Sequence, residues 1–299
     1  MADLDAIYFS GESRELELGL ITLAARVEEL SATPAGQALP ADVERVVQAT
    51  LDVLERGVVR AAERGEDGTW RAVPWVKRGI LLAFRAGTIA DMSPQGGPLQ
   101  FFDKHTLPLR EFNAHDGVRI VPGGSSIRRG SHIAAGVVCM PPMFVNAGAW
   151  VGPGTMIDSH ALVGSCAQVG ARVHLSAAAQ VGGVLEPVNA APVIVEDDVV
   201  VGGNCGVYEG TVVRARAVLA AGTVLTRGTP VFDLVRETVL RGSADHPLEI
   251  PEGAVVVPGA RAVSSPWAKE QGLSLQTPLI VKYRDERTDL STALEGWLR

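Results

Sequence analysis

VPGGSSIRRGSHIAAGVVCMPPMFVNAGAWVGPGTMIDSHALVGSCAQVGARVHLSAAAQV, residues 121–181, sets an apolar residue at every sixth position: Val121, Ile127, Ile133, Cys139, Val145, Val151, Ile157, Val163, Val169, Leu175 and Val181. Four residues after nearly every one stands a small or β-branched residue, namely Ser125, Ser131, Val137, Ala149, Thr155, Ala161, Ala167, Val173 and Ala179, with Met143 the exception. A helix repeats its apolar face near 3.6 residues and a half-buried strand near 2, so neither explains this period. A coil with three short flat faces does. One hexapeptide supplies each face and three supply a turn, so residues about 18 apart stack at roughly the 4.8 Å spacing of neighbouring strands. The apolar residue points inward, the small one fills the space behind the corner, and ladders between coils satisfy the amides. After Val181 the register lapses and resumes at Ile194, Val200, Gly206, Val212, Val218 and Val224. The 13-residue gap is two hexapeptides plus one, so Gly182 to Val193 is expected to bulge as a loop, and expelled loops usually lie over a solenoid's binding face.

The rest of the chain bounds the setting. Its 299 residues are 46% hydrophobic and 20% charged, enough for a buried core and for two or three domains or subdomains. With 33 glycines and only 5% aromatics it suits many tight corners and few bulky core residues. A formal charge of -7 argues against nucleic acid as partner. No apolar run reaches membrane-spanning length, and the opening MADLDAIYFSGESRELEL is acidic where a signal peptide is basic, so a cytoplasmic protein is expected. Three scattered cysteines, Cys139, Cys166 and Cys205, suit neither a disulfide framework nor a zinc site.

Before the coil, Ser13 to Leu30 and Ala41 to Arg64 have helical spacing, the second bounded by Pro40 and Gly65, and Trp75 to Phe84 is a further apolar element. These predict a helical N-terminal domain over 1–110. A basic, aromatic connector, FFDKHTLPLREF, leads into the coil, expected over 118–230. Val231–Leu240, Gly253–Val257 and Pro278–Tyr283 read as strands of a small C-terminal β cap over 231–299, covering the coil's open end. Leu290 to Leu298 reads as a short terminal helix.

The run from Gly154 to Gly203, GTMIDSHALVGSCAQVGARVHLSAAAQVGGVLEPVNAAPVIVEDDVVVGG, resembles the signature region of the tetrahydrodipicolinate N-succinyltransferase family, acyltransferases of bacterial lysine biosynthesis. WVKRGILLAFR, FFDKHTLPLREF and GVRIVP upstream, and PEGAVVVPGARAVS and PLIVKY downstream, are similar to family segments in the same order. Hexapeptide periodicity is shared by many acyltransferases; VGSCAQVG and VGGVLEP are more specific. The resemblance implies a left-handed parallel β-helix, against the usual crossover hand, a homotrimer, and active sites between neighbouring coils. It also implies succinyl transfer from succinyl-CoA to the amine of the ring-opened acceptor. Acetyl-CoA as donor, or a related amino-dicarboxylate as acceptor, is an alternative, and a catalytically silent hexapeptide scaffold is the reading from another class.

Amine acylation needs an acceptor for the amine proton and donors for the thioester oxyanion. Asp158, directly after inward Ile157, resembles the family's acid that binds the amine, and Ser176, 18 residues on, is expected beside it. Arg119 matches a substrate-binding arginine, and a planar guanidinium suits a carboxylate bidentately. Gly183 and Gly222 are expected to cradle the CoA pantetheine arm. Arg128 and Arg129 read as surface charges, and Arg214, Arg216 and Arg227 as either CoA-phosphate partners or solvated edge charges. His160, two residues from Asp158, reads as a packing or exposed residue, with a share of the base role as the alternative, and His174 as lining the cleft. No metal is expected, since His132, His160 and His174 do not stack at multiples of 18, and Cys166 reads as a buried thiol. In a segment like GARSEVVEG the family carries a second acid; this chain reads GGNCGVYEG. That puts Gly206 at the acid's position, in what reads as an inward slot, and Asn204 at the preceding arginine, with Glu209 and Glu186 nearby.

Overall fold

The computed structural model describes residues 13–94, 97–243 and 246–285. The expected terminal helix over Leu290–Leu298 lies outside them. Two-residue strands, one per hexapeptide, build three parallel sheets, and each strand bonds to the one a full coil away. The first face carries 119–120, 138–139, 156–157, 174–175, 200–201 and 218–219. The second carries 126–127, 144–145, 162–163, 180–181, 206–207 and 224–225, and the third 132–133, 150–151, 168–169, 194–195 and 212–213. The second residue of each strand points inward, so Val145, Val151, Ile157, Val163, Val169, Leu175 and Val181 are all fully buried in one continuous core. Each such side chain contributes about 1.5–3 kcal/mol by leaving water. The slot four residues later is closed as expected, by Val137, Ala149, Ala161, Ala167, Val173 and Ala179. Where it holds a hydroxyl, that group bonds to a corner carbonyl: Ser131 Oγ donates to Arg128 O at 2.6 Å and Thr223 Oγ1 to Ala220 O at 2.7 Å. A buried polar group is thereby paired instead of orphaned.

The register departs from expectation at both ends. Ile120, not Val121, pairs with Cys139, because PGGSS inserts one extra residue in the first corner. Beyond the gap Val195, not Ile194, stacks on Val169. The inward residues are therefore Val195, Val201, Val207, Val213, Leu219 and Leu225, and the gap after Val181 is longer by one than the sequence spacing suggests. Gly206 is not an inward residue. It occupies the outward half of its strand, pairing with Gln180 and Val224, while Val207 fills the core.

The segment 182–193 does leave the coil, at the corner between the second and third faces. It turns toward the N-terminal helices: Leu185 packs on their core, and Lys77 Nζ donates to Ala190 O at 2.5 Å. Those helices are α1 (Ser13–Ser31), α2 (Val43–Glu55) and α3 (Pro74–Ala86). The second is shorter than its spacing predicts, since Gly57 adopts φ +72° and ends it, the usual use of glycine just past a helix terminus. Gly65 instead sits in the turn of a short hairpin pairing Ala62–Arg64 with Trp70–Ala72. Helices and hairpin cover the third face, where His132 stacks on Trp150 and Ala62 packs with Ile194 and Val212. Arg128 and Arg129 are not free surface charges. Arg128 pairs with Asp103 beneath Phe84, and Arg129 with Glu55 and Asp52 of α2, tying coil to helices.

After Leu225 the chain makes a hairpin, Val231–Asp233 with Thr238–Leu240, then returns. Glu249–Ile250 extends the third face and Ala254–Ala262 the first, the latter continuing as a long antiparallel ribbon with Ser274–Tyr283. These strands cover the ladder edges left by Val213 and Leu219.

Candidate active site

At most hexapeptide corners the third residue after the inward one takes a left-handed conformation, Pro142 being an exception. Along the corner from the first to the second face these residues are His160 (φ 63°), Ala178 (59°), Asn204 (56°) and Gly222 (80°). Each sends its N–H back one coil, to Pro142 O, Ser159 O, Ala177 O and Gly203 O respectively. A side chain in this conformation costs about 1–2 kcal/mol, offset by the ladder the corner continues. Helices occupy the third face, so this corner lies between the two faces they leave uncovered.

Asp158 emerges at this corner directly after buried Ile157, its own N–H bonded to Leu175 O at 2.9 Å. One carboxylate oxygen accepts from Ser159 N at 2.7 Å, and the other takes no hydrogen bond from the described residues. The half-buried group is thus oriented by its own turn and keeps one oxygen available. Ser176 stands on the next coil in the same column, because Ile157 pairs with Leu175. Gly222 lies two coils further along this corner, after Leu219; its φ of +80° makes glycine the natural residue there.

Arg119 is exposed on the first face, where it pairs with Val138, two coils from Asp158. Gly183 belongs to a different corner, between the second and third faces. A Cβ on it would lie 2.5 Å from Ser165 N, so close approach of coils already requires glycine there. The structure brings Asp158 and Ser176 into one column, places Gly222 at the same corner but in the neighbouring column of His160, Ala178 and Asn204, three coils from Asp158, and brings neither Gly183 nor Arg119 to that corner.

Other candidates resolve differently. His160 is exposed, and its carbonyl accepts from Gln180 Nε2 at 3.2 Å. His174 is half-buried on the first face, between Met156 and Val200. Arg214 is no free phosphate partner: it pairs with Glu196 at 2.9 Å and Glu249 at 2.7 Å. Glu209 accepts from Arg227 N at 3.1 Å. All three cysteines are buried, and burial pushes the Cys139 and Cys166 thiols up to about 12, which keeps them protonated and unreactive. Among the described residues no group of three or more His, Cys, Asp or Glu could hold a metal, and no helix is long and apolar enough to cross a membrane.

One cluster escaped the sequence reading. Beneath the 62–72 hairpin, a cleft of about 490 Å³ is lined by Arg60, Trp70, Trp150, Gln168 and Glu196. The Arg60 guanidinium lies 4.1 Å from the Trp150 ring centre and 5.4 Å from that of Trp70, while its Nε donates to Gln168 at 2.9 Å. Burial lowers its pKa to about 10. These partners come from distant parts of the chain, and no local pattern announces them.

Comparison with known proteins follows the same lines. A family model described as tetrahydrodipicolinate N-succinyltransferase N-terminal matches residues 23–86, and one for the hexapeptide repeat of succinyl-transferase matches 192–227. The 2,3,4,5-tetrahydropyridine-2,6-dicarboxylate N-succinyltransferase of Polynucleobacter asymbioticus is 41% identical over 269 residues, 88% of this chain and 92% of that protein. Enzymes of the same name from Nitrobacter hamburgensis and Paraburkholderia phymatum are 40% and 41% identical, covering 86% and 88% of this chain and 90% and 92% of their own.

Proposed function

The chain belongs to the tetrahydrodipicolinate N-succinyltransferase family, and from that membership we propose that Asp158 is the base of its succinyl transfer to an amine, a step of lysine and diaminopimelate biosynthesis. The acceptor is the ring-opened form of 2,3,4,5-tetrahydropyridine-2,6-dicarboxylate and the donor succinyl-CoA. The amine lone pair attacks the thioester carbonyl carbon, and the carbonyl electrons move to oxygen. As the oxyanion collapses the C–S bond breaks, the amide remains and CoA leaves as a thiolate that takes up a proton. The amine proton passes to the free oxygen of Asp158. Family members' names supply the reaction; the unpartnered oxygen of a carboxylate held by Ser159 N is the observation that supports Asp158 as acceptor.

Ser176 beside Asp158 and Arg119 along the first face are substrate-binding residues in this reading, and Gly222 offers a close backbone approach to the pantetheine arm. Gly183 joins that cradle across the second face, or as the wall of a neighbouring copy. We also propose that the coil winds left-handed, that three copies associate, and that the enzyme works in the cytoplasm. Phe144 and Leu162 support association, since they stack on successive coils as a partly exposed apolar pair on the outer second face, with exposed Val224 on the same face beyond Gln180 and Gly206.

Purified protein given succinyl-CoA and the cyclic imine should release free thiol, and Asp158→Asn should lower the rate by at least about 100-fold with the fold intact. An unchanged rate would remove Asp158 from the chemistry. The alternative donor, acetyl-CoA, is favoured by one observation: the Asp158 corner, residues 140–142, 158–160, 176–178, 202–204 and 220–222, contains no lysine or arginine for the succinyl carboxylate. Competition between the two acyl-CoAs decides between them.

A further inference from the structure

Neither Gly206, inside its strand, nor Gly182, just past strand 180–181, adopts the positive φ that calls for glycine. What they share is the ring of Tyr208. A Cβ on Gly206 would overlap the ring, lying 2.9 Å from its Cζ and 3.0 Å from the hydroxyl, and one on Gly182 would lie 2.7 Å from Cδ1. Glycine inside a strand commonly marks such close approach. Two glycines on successive coils of the second face thus clear a seat for one aromatic ring.

Tyr208 starts at the far end of its strand, and its ring runs back across Gly206, toward the Asp158 corner from which that strand emerges. Its backbone is fully engaged, the N–H to Leu225 O and the carbonyl with Thr211 Oγ1 at 2.7 Å. Its hydroxyl has no hydrogen-bond partner among the described residues and is not enclosed. A phenol fixed at the ring by packing and left open at the tip is a preorganised donor. The adjoining corner holds no lysine or arginine, so a carboxylate lodged there has, besides His160, only neutral donors to depend on.

We propose that Tyr208 contacts substrate, its phenol donating a hydrogen bond to a carboxylate of the acceptor or of the succinyl group. This rests on the reaction proposed above. Removing only the hydroxyl, in Tyr208→Phe, should raise the KM of one carboxylate substrate about tenfold and leave kcat within about twofold. A rise in acceptor KM with either donor assigns the acceptor carboxylate. A rise in succinyl-CoA KM, with acetyl-CoA unaffected, assigns the succinyl end.

Gly206→Ala should raise the same KM, because its methyl group displaces the ring, yet change nothing further when added to Tyr208→Ala. Unchanged KM values in Tyr208→Phe would overturn the proposal, and so would Gly206→Ala being as harmful without the ring as with it. Absence of thiol release by the wild type would sink the reaction instead. Calorimetric Kd values for succinyl-CoA and the acceptor then test Tyr208 alone, and equal values in wild type and Tyr208→Phe would refute it.

Discussion

Glu196 is a carboxylate only 9% exposed, retained because everything around it donates. Burial works to raise its pKa, but Trp70 Nε1 at 2.9 Å, Arg214 Nη1 at 2.9 Å and Ala215 N at 3.1 Å outweigh that and hold it below the ordinary 4.5. A folded-state pKa below the unfolded one means that the unfolded chain binds more protons in acid. The stabilisation is therefore complete above the ordinary carboxylate range and lost as pH falls from there through the lower folded-state pKa. Glu196→Gln should cost about 1–3 kcal/mol at neutral pH and flatten the fall of Tm with acidification, as thermal unfolding across a pH series would read. A Tm profile parallel to that of the wild type would show that the carboxylate is not what fastens the hairpin to the coil.

Among elements, the two-residue strand is the unit that matters, and its halves have opposite fates. Leu225 is fully buried whereas its neighbour Val224 is 37% exposed. Leu225→Ala should cost about 2–5 kcal/mol in urea unfolding, and Val224→Ala in the isolated chain about 0.5 kcal/mol or less. The reverse order would restore the register expected from sequence. That expectation fails because Ile194, Val200, Val212, Val218 and Val224 are each followed by an equally apolar residue, and hydrophobicity alone cannot choose between them.

The small-residue slot does choose. Counting four on from the structural register gives Val199, Cys205, Thr211, Ala217 and Thr223, all buried; counting from the other gives Asp198, Asn204, Gly210, Arg216 and Gly222, which include charged and amide side chains. The same rule turns Gly206 outward on sequence grounds alone. Gly57, which ends α2, is equally readable in LERGVV. At the candidate site, Asp158 and Ser176 follow from the regular step of one coil. Tyr208 does not, because its meaning lies in the space that glycines on two successive coils leave for it.

At the scale of the molecule, the prism has one face committed within the chain. The hairpin and helices hold the third face through Arg128, Arg129, Trp70 and Arg60, leaving the first and second faces for the proposed association of three copies. A charge in the apolar pair of the second face should therefore separate them. Leu162→Glu is expected to lower the mass in light scattering from three chains to one chain of 31.5 kDa, with far-ultraviolet circular dichroism unchanged. A wild type already at that single-chain mass would refute the proposed trimer.

The first coil, from Ile120 to Cys139, is slightly longer than a regular turn, and the coil from Val169 to Val195 carries the whole 182–193 loop, yet both rejoin the ladder with the next strand in line. Each corner behaves as an expansion joint. Added length is absorbed where it enters and is not passed to the next turn, unlike a helix, where one extra residue rotates everything downstream by about 100°. Such a chain can lengthen at its rims, or gain and lose whole turns, without re-sorting the side chains already packed inside. Variation is thereby steered to the corners, where Asp158 stands, and away from the interior that holds it in place.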